Sequence, residues 1–319
     1  TGPDSTLPTG PDLAGGYVVP MATVSDGAGN IYVTGAATAN GTEHPGAHQM
    51  TVKIDAAGDT LWKVLEPVTT YAAESGLEII LDQAGQPVVA GSFWNGSDMD
   101  YRVTKYDVDG TLLWQHITGG TGNGVDMPTA MALDADGNIL VTGLSWSGTS
   151  IDYMTVKYGP LGAQLWVMRD NGVGGDRWNE PAAITTDAAG NVYVTGYSEN
   201  EQYWAGYYTL KYSPDGDPLW QQRYTYTGPP SVNNSYARAL AVDAAGNVYV
   251  TGTIDRGNSR FGTIKYDTDG NQQWMKTFRS GLEMTDAYSI ALGPDDLLYV
   301  GGEHNGDYSD DGFVLVGYS

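Results

Sequence analysis

The sequence has no cysteine, so neither a disulfide framework nor thiol chemistry is open to it. Basic residues are scarce: fifteen Lys and Arg, seven of them lysine, face thirty-eight Asp and Glu, for a net charge of −23. A surface with that balance repels nucleic acid and anionic membranes. Cationic partners or metal ions fit better. No apolar run approaches the roughly 20 residues of a membrane-spanning helix. No signal peptide is present, although a mature exported chain would have lost one. There is also no G-x-S-x-G elbow, phosphate-binding loop or dinucleotide fingerprint.

Glycine (44) and tyrosine (22) are abundant, which points to many strands joined by tight turns. A repeat organises them. The phrase DGAGNIYVTG (26–35) returns as DQAGQPVVAG (82–91), DADGNILVTG (134–143) and DAAGNVYVTG (187–196 and 243–252), and more weakly as GPDDLLYVGG (293–302). A second phrase follows each: MTVKID, RVTKYD, MTVKYG, YTLKYS, GTIKYD and a shortened LVGYS. A third ends on Trp62, Trp114, Trp166, Trp220 and Trp274.

Each repeat reads as four strands. Strand A precedes the Asp-x-x-Gly turn and strand B is the Val-Thr-Gly segment. Strand C carries the lysine and strand D the tryptophan. The A–B and C–D links are short and rich in Gly, Asn and Asp, as in hairpins. The strands are apolar on both alternations, as sheets covered on both faces require. Stacked blades of a β-propeller meet that requirement.

These phrases resemble the SBBP family of bacterial propeller repeats, with its pattern A-V-D-x-x-G-N-x-Y-V-T-G … K-Y-x-x-x-G-x-x-x-W. The resemblance runs from about residue 20 to the end and implies a propeller fold, not an activity. The expected fold is all-β, a single six-bladed propeller of four-stranded antiparallel blades over 1–319. The blades are expected near 20–66, 75–118, 127–170, 180–224, 235–279 and 286–319. The last repeat lacks strand D, and residues 4–9 are expected to supply it and close the ring.

In up-and-down order the long, variable B–C and D–A loops share one face, where function tends to sit. Just before strand A stand Glu74, Asp126, Glu180 and Asp286, with Tyr236 and Arg238 in the fifth repeat. The four acids are the candidate catalytic residues, expected to converge on the channel mouth. Capping of loops is the competing role. Trp94, Trp146, Trp178, Tyr203, Trp204, Tyr224 and Tyr226 lie on the same loops and suit stacking of sugars or a protein partner. They suit equally a cover over the blade ends. Glu43, His44 and His48, with Glu303 and His304 beside Asp307, Asp310 and Asp311, are a candidate divalent-cation site, for calcium or a transition metal. No strong ligand motif supports it. The Asp-Val-Asp-Gly (107–110) and Asp-Thr-Asp-Gly (267–270) turns lack the length and terminal Glu of a calcium loop and read as hairpins.

One row belongs to the scaffold. Asp26, Asp82, Asp134, Asp187 and Asp243 precede the A–B turns, and Lys53, Lys105, Lys157, Lys211 and Lys265 lie in strand C. Either each Lys meets an Asp, or it extends along the strand-D tryptophan.

Three functions fit. The first is an extracellular or surface-bound monomer binding a glycan or protein, with no nucleic acid and no membrane insertion. The second is a polysaccharide hydrolase or lyase using the acids. The third is a structural repeat domain of a larger surface protein.

Overall fold

The computed structural model describes residues 18–38, 47–66, 74–172, 175, 177–225, 234–254, 259–280, 284–294, 297–305 and 312–318. It divides into two compact units, Thr1–Met131 and Ala132–Ser319. The described residues are all-β. The first unit holds β1 (Val18–Ser25), β2 (Ile31–Thr38), β3 (Ala47–Ile54), β4 (Thr60–Leu65), β5 (Ser75–Leu81), β6 (Pro87–Trp94), β7 (Met99–Tyr106) and β8 (Leu112–Thr118). The division falls within β9 (Met127–Leu133). The second unit continues with β10 (Ile139–Trp146), β11 (Ile151–Tyr158), β12 (Gln164–Asp170), β13 (Asn179–Thr186), β14 (Val192–Glu199), β15 (Ala205–Tyr212) and β16 (Pro218–Tyr224). It ends with β17 (Tyr236–Val242), β18 (Val248–Ile254), β19 (Arg260–Tyr266), β20 (Gln272–Phe278), β21 (Met284–Leu292), β22 (Leu298–Asn305) and β23 (Gly312–Tyr318).

Consecutive strands pair in up-and-down order, giving five four-stranded sheets and one three-stranded sheet, β21–β23, among the described residues. The strands fall where the repeat places strands A to D. Residues 4–9, expected to complete the sixth sheet, lie outside the described residues.

Five of the six A–B turns are built on an aspartate, the β21–β22 turn having Gly293 instead. Asp187 Oδ1 accepts the backbone N–H groups of Ala189 and Asn191, each at 2.9 Å, and Asn191 Nδ2 reaches Oδ2 at 2.8 Å. Gly190 takes the left-handed conformation that closes the turn, at φ 81°. Strand A then carries a bulge at Met21, Leu77, Ala182, Arg238 and Tyr288. The bulge brings a strand-A carbonyl over the last residue of Val-Thr-Gly. A Cβ on Gly196 would lie 2.1 Å from the Glu180 oxygen, and one on Gly252 equally close to that of Tyr236, so the repeat can hold only glycine there.

Within each unit the first strand of a sheet lies across the preceding sheet: β5 over β1–β3, β17 over β13–β15 and β21 over β17–β19. The core therefore sits between sheets, and middle strands such as β11 and β15 are buried along their whole length. The repeated tryptophans join neighbouring sheets. Trp166 Nε1 and Lys157 Nζ both donate to Pro214 O at 3.0 Å, and Trp220 and Lys211 both donate to Thr268 O at 3.0 Å.

The lysine row splits by one residue. Lys105 pairs with Asp82 at 2.7 Å and Lys157 with Asp134 at 2.9 Å, where Val88 and Leu140 face the lysine from strand B. Tyrosine takes that position in three other sheets, and the ammonium lies over its ring. The distances are 5.0 Å for Lys53 on Tyr32, 5.2 Å for Lys211 on Tyr193 and 5.0 Å for Lys265 on Tyr249. In two of these the tyrosine hydroxyl takes the aspartate instead, Tyr193 to Asp187 at 2.8 Å and Tyr249 to Asp243 at 3.0 Å. The stacking partner is thus the strand-B tyrosine, not the strand-D tryptophan.

Candidate functional site

The four acids expected at one rim fall into two registers. Glu74 and Asp126 stand eight residues before their turn aspartates, whereas Glu180 and Asp286 stand seven before Asp187 and Gly293. Successive strand residues face opposite ways, so a one-residue offset moves a side chain to the other face. Glu74 and Asp126 are fully buried, as are Asn179, Ser235 and Thr285 at the same position. Glu74 Oε2 pairs with Arg102 Nη1 at 2.8 Å, and Arg102 also donates to Gln49 Oε1 at 3.2 and 3.3 Å. Asp126 Oδ2 accepts the Gly120 N–H at 2.7 Å and so ties down the loop before β9. Both acids hold the scaffold, and the expectation of four equivalent catalytic carboxylates is corrected to that extent.

In the second unit Glu180 and Asp286 join a row of aromatic and hydroxyl groups. Glu180 Oε2 accepts Trp178 Nε1–H at 3.2 Å and the Tyr197 hydroxyl at 3.1 Å. Tyr197 meets Tyr236 edge to face, with ring centroids 4.9 Å apart. In the next sheet Thr253, directly opposite Tyr236, donates to Asp286 Oδ1 at 2.6 Å. Glu303 stands opposite Asp286 and accepts the Tyr288 hydroxyl at 2.7 Å. Arg238 is exposed, at the same bulge position in β17 that Tyr288 holds in β21. Burial and the Glu180 charge push the Tyr197 hydroxyl well up. The hydrogen bond to Glu303, with some burial, pushes Tyr288 up to about 12. Both hydroxyls therefore remain donors through the physiological range.

The loop aromatics behave differently from one another. Trp94 and Trp146 occupy matching ends of β6 and β10, opposite Met99 and Ile151, and are half-buried. Tyr224 is half-buried against Tyr207, centroids 5.9 Å apart. Tyr226 lies outside the described residues. Trp178 (48 %), Tyr203 (63 %) and Trp204 (44 %) stay exposed. Glu199 N–H donates to Trp178 O and fastens the two loops together, while Asn200 N–H donates to Trp204 O and closes the β14–β15 loop, each at 3.1 Å. Arg177 lies over the Tyr203 ring at 4.3 Å.

For the candidate metal site, His44, Glu43, Asp307, Asp310 and Asp311 lie outside the described residues. His48 Nδ1 is 2.9 Å from Glu66 O, and Glu303 is engaged by Tyr288. His304 packs so closely that a Cβ on Gly312 would lie 2.4 Å from its Nε2. No group of three or more His, Asp or Glu that could hold a metal occurs among the described residues. The Asp107 carboxylate accepts the N–H groups of Asp109 and Thr111, at 2.9 and 2.8 Å, and so serves its hairpin.

Sequence reasoning missed Tyr197, Tyr288 and Arg177. Tyr197 was findable, because it directly follows Val-Thr-Gly where other repeats place Ala36, Ser92, Leu144, Thr253 and Glu303. No repeat position marks Arg177.

The carboxyls also set a pH dependence. Burial pushes Glu78, Asp100 and Asp170 up. They take up protons in the folded chain before the unfolded one does, so stability grows as pH falls towards the ordinary Asp value of 3.8. At Asp134, Asp187 and Asp243 burial acts the same way, but their hydrogen bonds together, from asparagine, from Lys157 or a tyrosine hydroxyl and from the backbone, outweigh it and hold them below 3.8. Their contribution is lost only as pH falls below that value. The melting temperature should be higher near pH ~5 than near pH ~8, and should fall below about pH 4. A steady rise from pH ~4 to ~8 in thermal scans would contradict this assignment.

No protein-family model matches the chain, and no curated protein matches it. Among solved structures, it is similar to a protein of unknown function from Dyadobacter fermentans (11 % identity, 94 % of each chain, TM-score 0.48). It is also similar to a Xanthomonas campestris gluconolactonase (15 % identity, 92 % of this chain and 95 % of that one, TM-score 0.39). A third likeness is to Drosophila Plexin A in complex with Semaphorin 1b (8 % identity, 96 % and 79 %, TM-score 0.48). At TM-scores below 0.5 these likenesses say nothing about what this chain binds.

Proposed function

We propose that this chain is an extracellular or surface β-propeller of the SBBP type that binds a neutral glycan through Trp178, Tyr203 and Trp204, with Glu180 as hydrogen-bond acceptor. The observation that carries the reading is the set of three exposed aromatic rings on two mutually fastened loops of one sheet. Flat exposed rings stack on sugar C–H faces at small entropic cost, because the side chains have only two torsions. Glu180 is held by two donors through one oxygen, and its other oxygen has no hydrogen-bond partner among the described residues. It can therefore accept a sugar hydroxyl without rearranging. A net charge of −23 disfavours uronic or sulfated chains.

The hydrolase reading requires a carboxyl held protonated beside a second carboxylate. Such pairs stand elsewhere in the protein: burial pushes up Asp100, with Asp98 near, and Asp170, with Asp152 near. The exposed rings of Trp178, Tyr203 and Trp204 favour binding over catalysis at the aromatic row. Trp178→Ala should weaken binding of a neutral oligosaccharide by about tenfold or more, equivalent to about 1.4 kcal/mol, in titration calorimetry. The half-buried Trp146→Ala should leave affinity unchanged. Equal affinities of wild type and Trp178→Ala would remove the proposed surface.

A further inference from the structure

Tyr203 is the non-glycine residue with positive φ among the described residues, at 64°. For a bulky side chain this left-handed conformation is a true outlier, and glycine or asparagine would adopt it more readily. The loop forces it. Asn200 Oδ1 accepts the N–H groups of Gln202 and Trp204, each at 3.0 Å, and Tyr203 N–H donates to Asn200 O at 2.9 Å. The ring lies 63 % exposed, so it gains little from burial to offset the strain. Arg177 holds one face of it at 4.3 Å. Arg177 precedes Trp178 in the chain, so the same segment fixes two of the exposed rings.

A strained, solvent-exposed aromatic fixed by a cation is poorly explained by folding. We propose that Tyr203 is a pre-organised stacking residue of the glycan surface: Arg177 fixes its ring so that the opposite face takes one hexopyranose of a neutral chain, while Trp178 and Trp204 take others. This rests on the glycan reading above. The cation on one face also opposes free rotation of the ring, so the platform is formed before the ligand arrives.

Stability and binding then separate. Tyr203→Gly removes both ring and strain. It should keep or raise the melting temperature, by about 1–2 °C, while weakening binding of cellohexaose or maltohexaose about tenfold. Tyr203→Phe keeps the ring and should bind like wild type. Hexagalacturonate, as anionic control, should not bind the wild type. The inference is overturned if Tyr203→Gly binds the neutral hexasaccharides like wild type while Trp178→Ala does not. It is overturned too if Tyr203→Gly lowers the melting temperature by several degrees, because the tyrosine is then structural. If wild type binds neither neutral hexasaccharide, the glycan reading itself fails and this inference falls with it.

Discussion

Arg102→Met should destabilise the protein by about 3–5 kcal/mol, measured by denaturant unfolding. Arg102 is among the largest fully buried side chains, and its partner Glu74 is equally buried. Surface ion pairs contribute little because water screens them. No such screening is available here, and methionine would leave a buried carboxylate without its counter-charge. Gln49 Oε1, which accepts two of the guanidinium's bonds, would lose them as well. The pair need not be a large net stabiliser, since both charges lost hydration on folding. The double variant Arg102→Met/Glu74→Leu should therefore recover most of the loss. A loss below about 1 kcal/mol for Arg102→Met would show that Glu74 reaches water.

The lysine row predicts an unequal pair of losses. Lys157→Met should cost about 2–3 kcal/mol, because it leaves the buried Asp134 carboxylate with only Asn138 and backbone donors. Lys211→Met should cost about 1 kcal/mol, since Asp187 is already held by Tyr193 and the lysine gives up a ring contact and one carbonyl. Adding Leu140→Tyr to Lys157→Met should restore about 1 kcal/mol by offering Asp134 the hydroxyl that Tyr193 offers Asp187. Equal losses for the two lysines would mean that the strand-B residue does not decide the pairing.

That split was written in the repeats. Residues 32, 193 and 249 are tyrosine and residues 88 and 140 aliphatic, and the structure follows them. The strands were legible for the same reason: turns, glycines and tryptophans recur at one spacing, and each has a local physical cause. The face of each acid was legible too, but only by counting. Glu74 and Glu180 look equivalent before strand A, and their distances to the turn aspartate differ by one. A period of two makes that difference decisive, burying one carboxylate and presenting the other. What could not be read was the platform itself. The Arg177–Tyr203 contact joins two loops 26 positions apart, and the left-handed Tyr203 depends on the Asn200 turn around it. Neither leaves a mark in the repeat, because both lie in the loops where repeats diverge.

We propose that the exposed rings of the second unit bind a neutral glycan. A glycan array probed with the whole chain, in calcium and again in chelator, decides it. Retention on neutral hexopyranose chains, equal in both conditions and absent on uronic and sulfated chains, is the predicted result. Retention on no glycan, or only on anionic chains with calcium present, would contradict it.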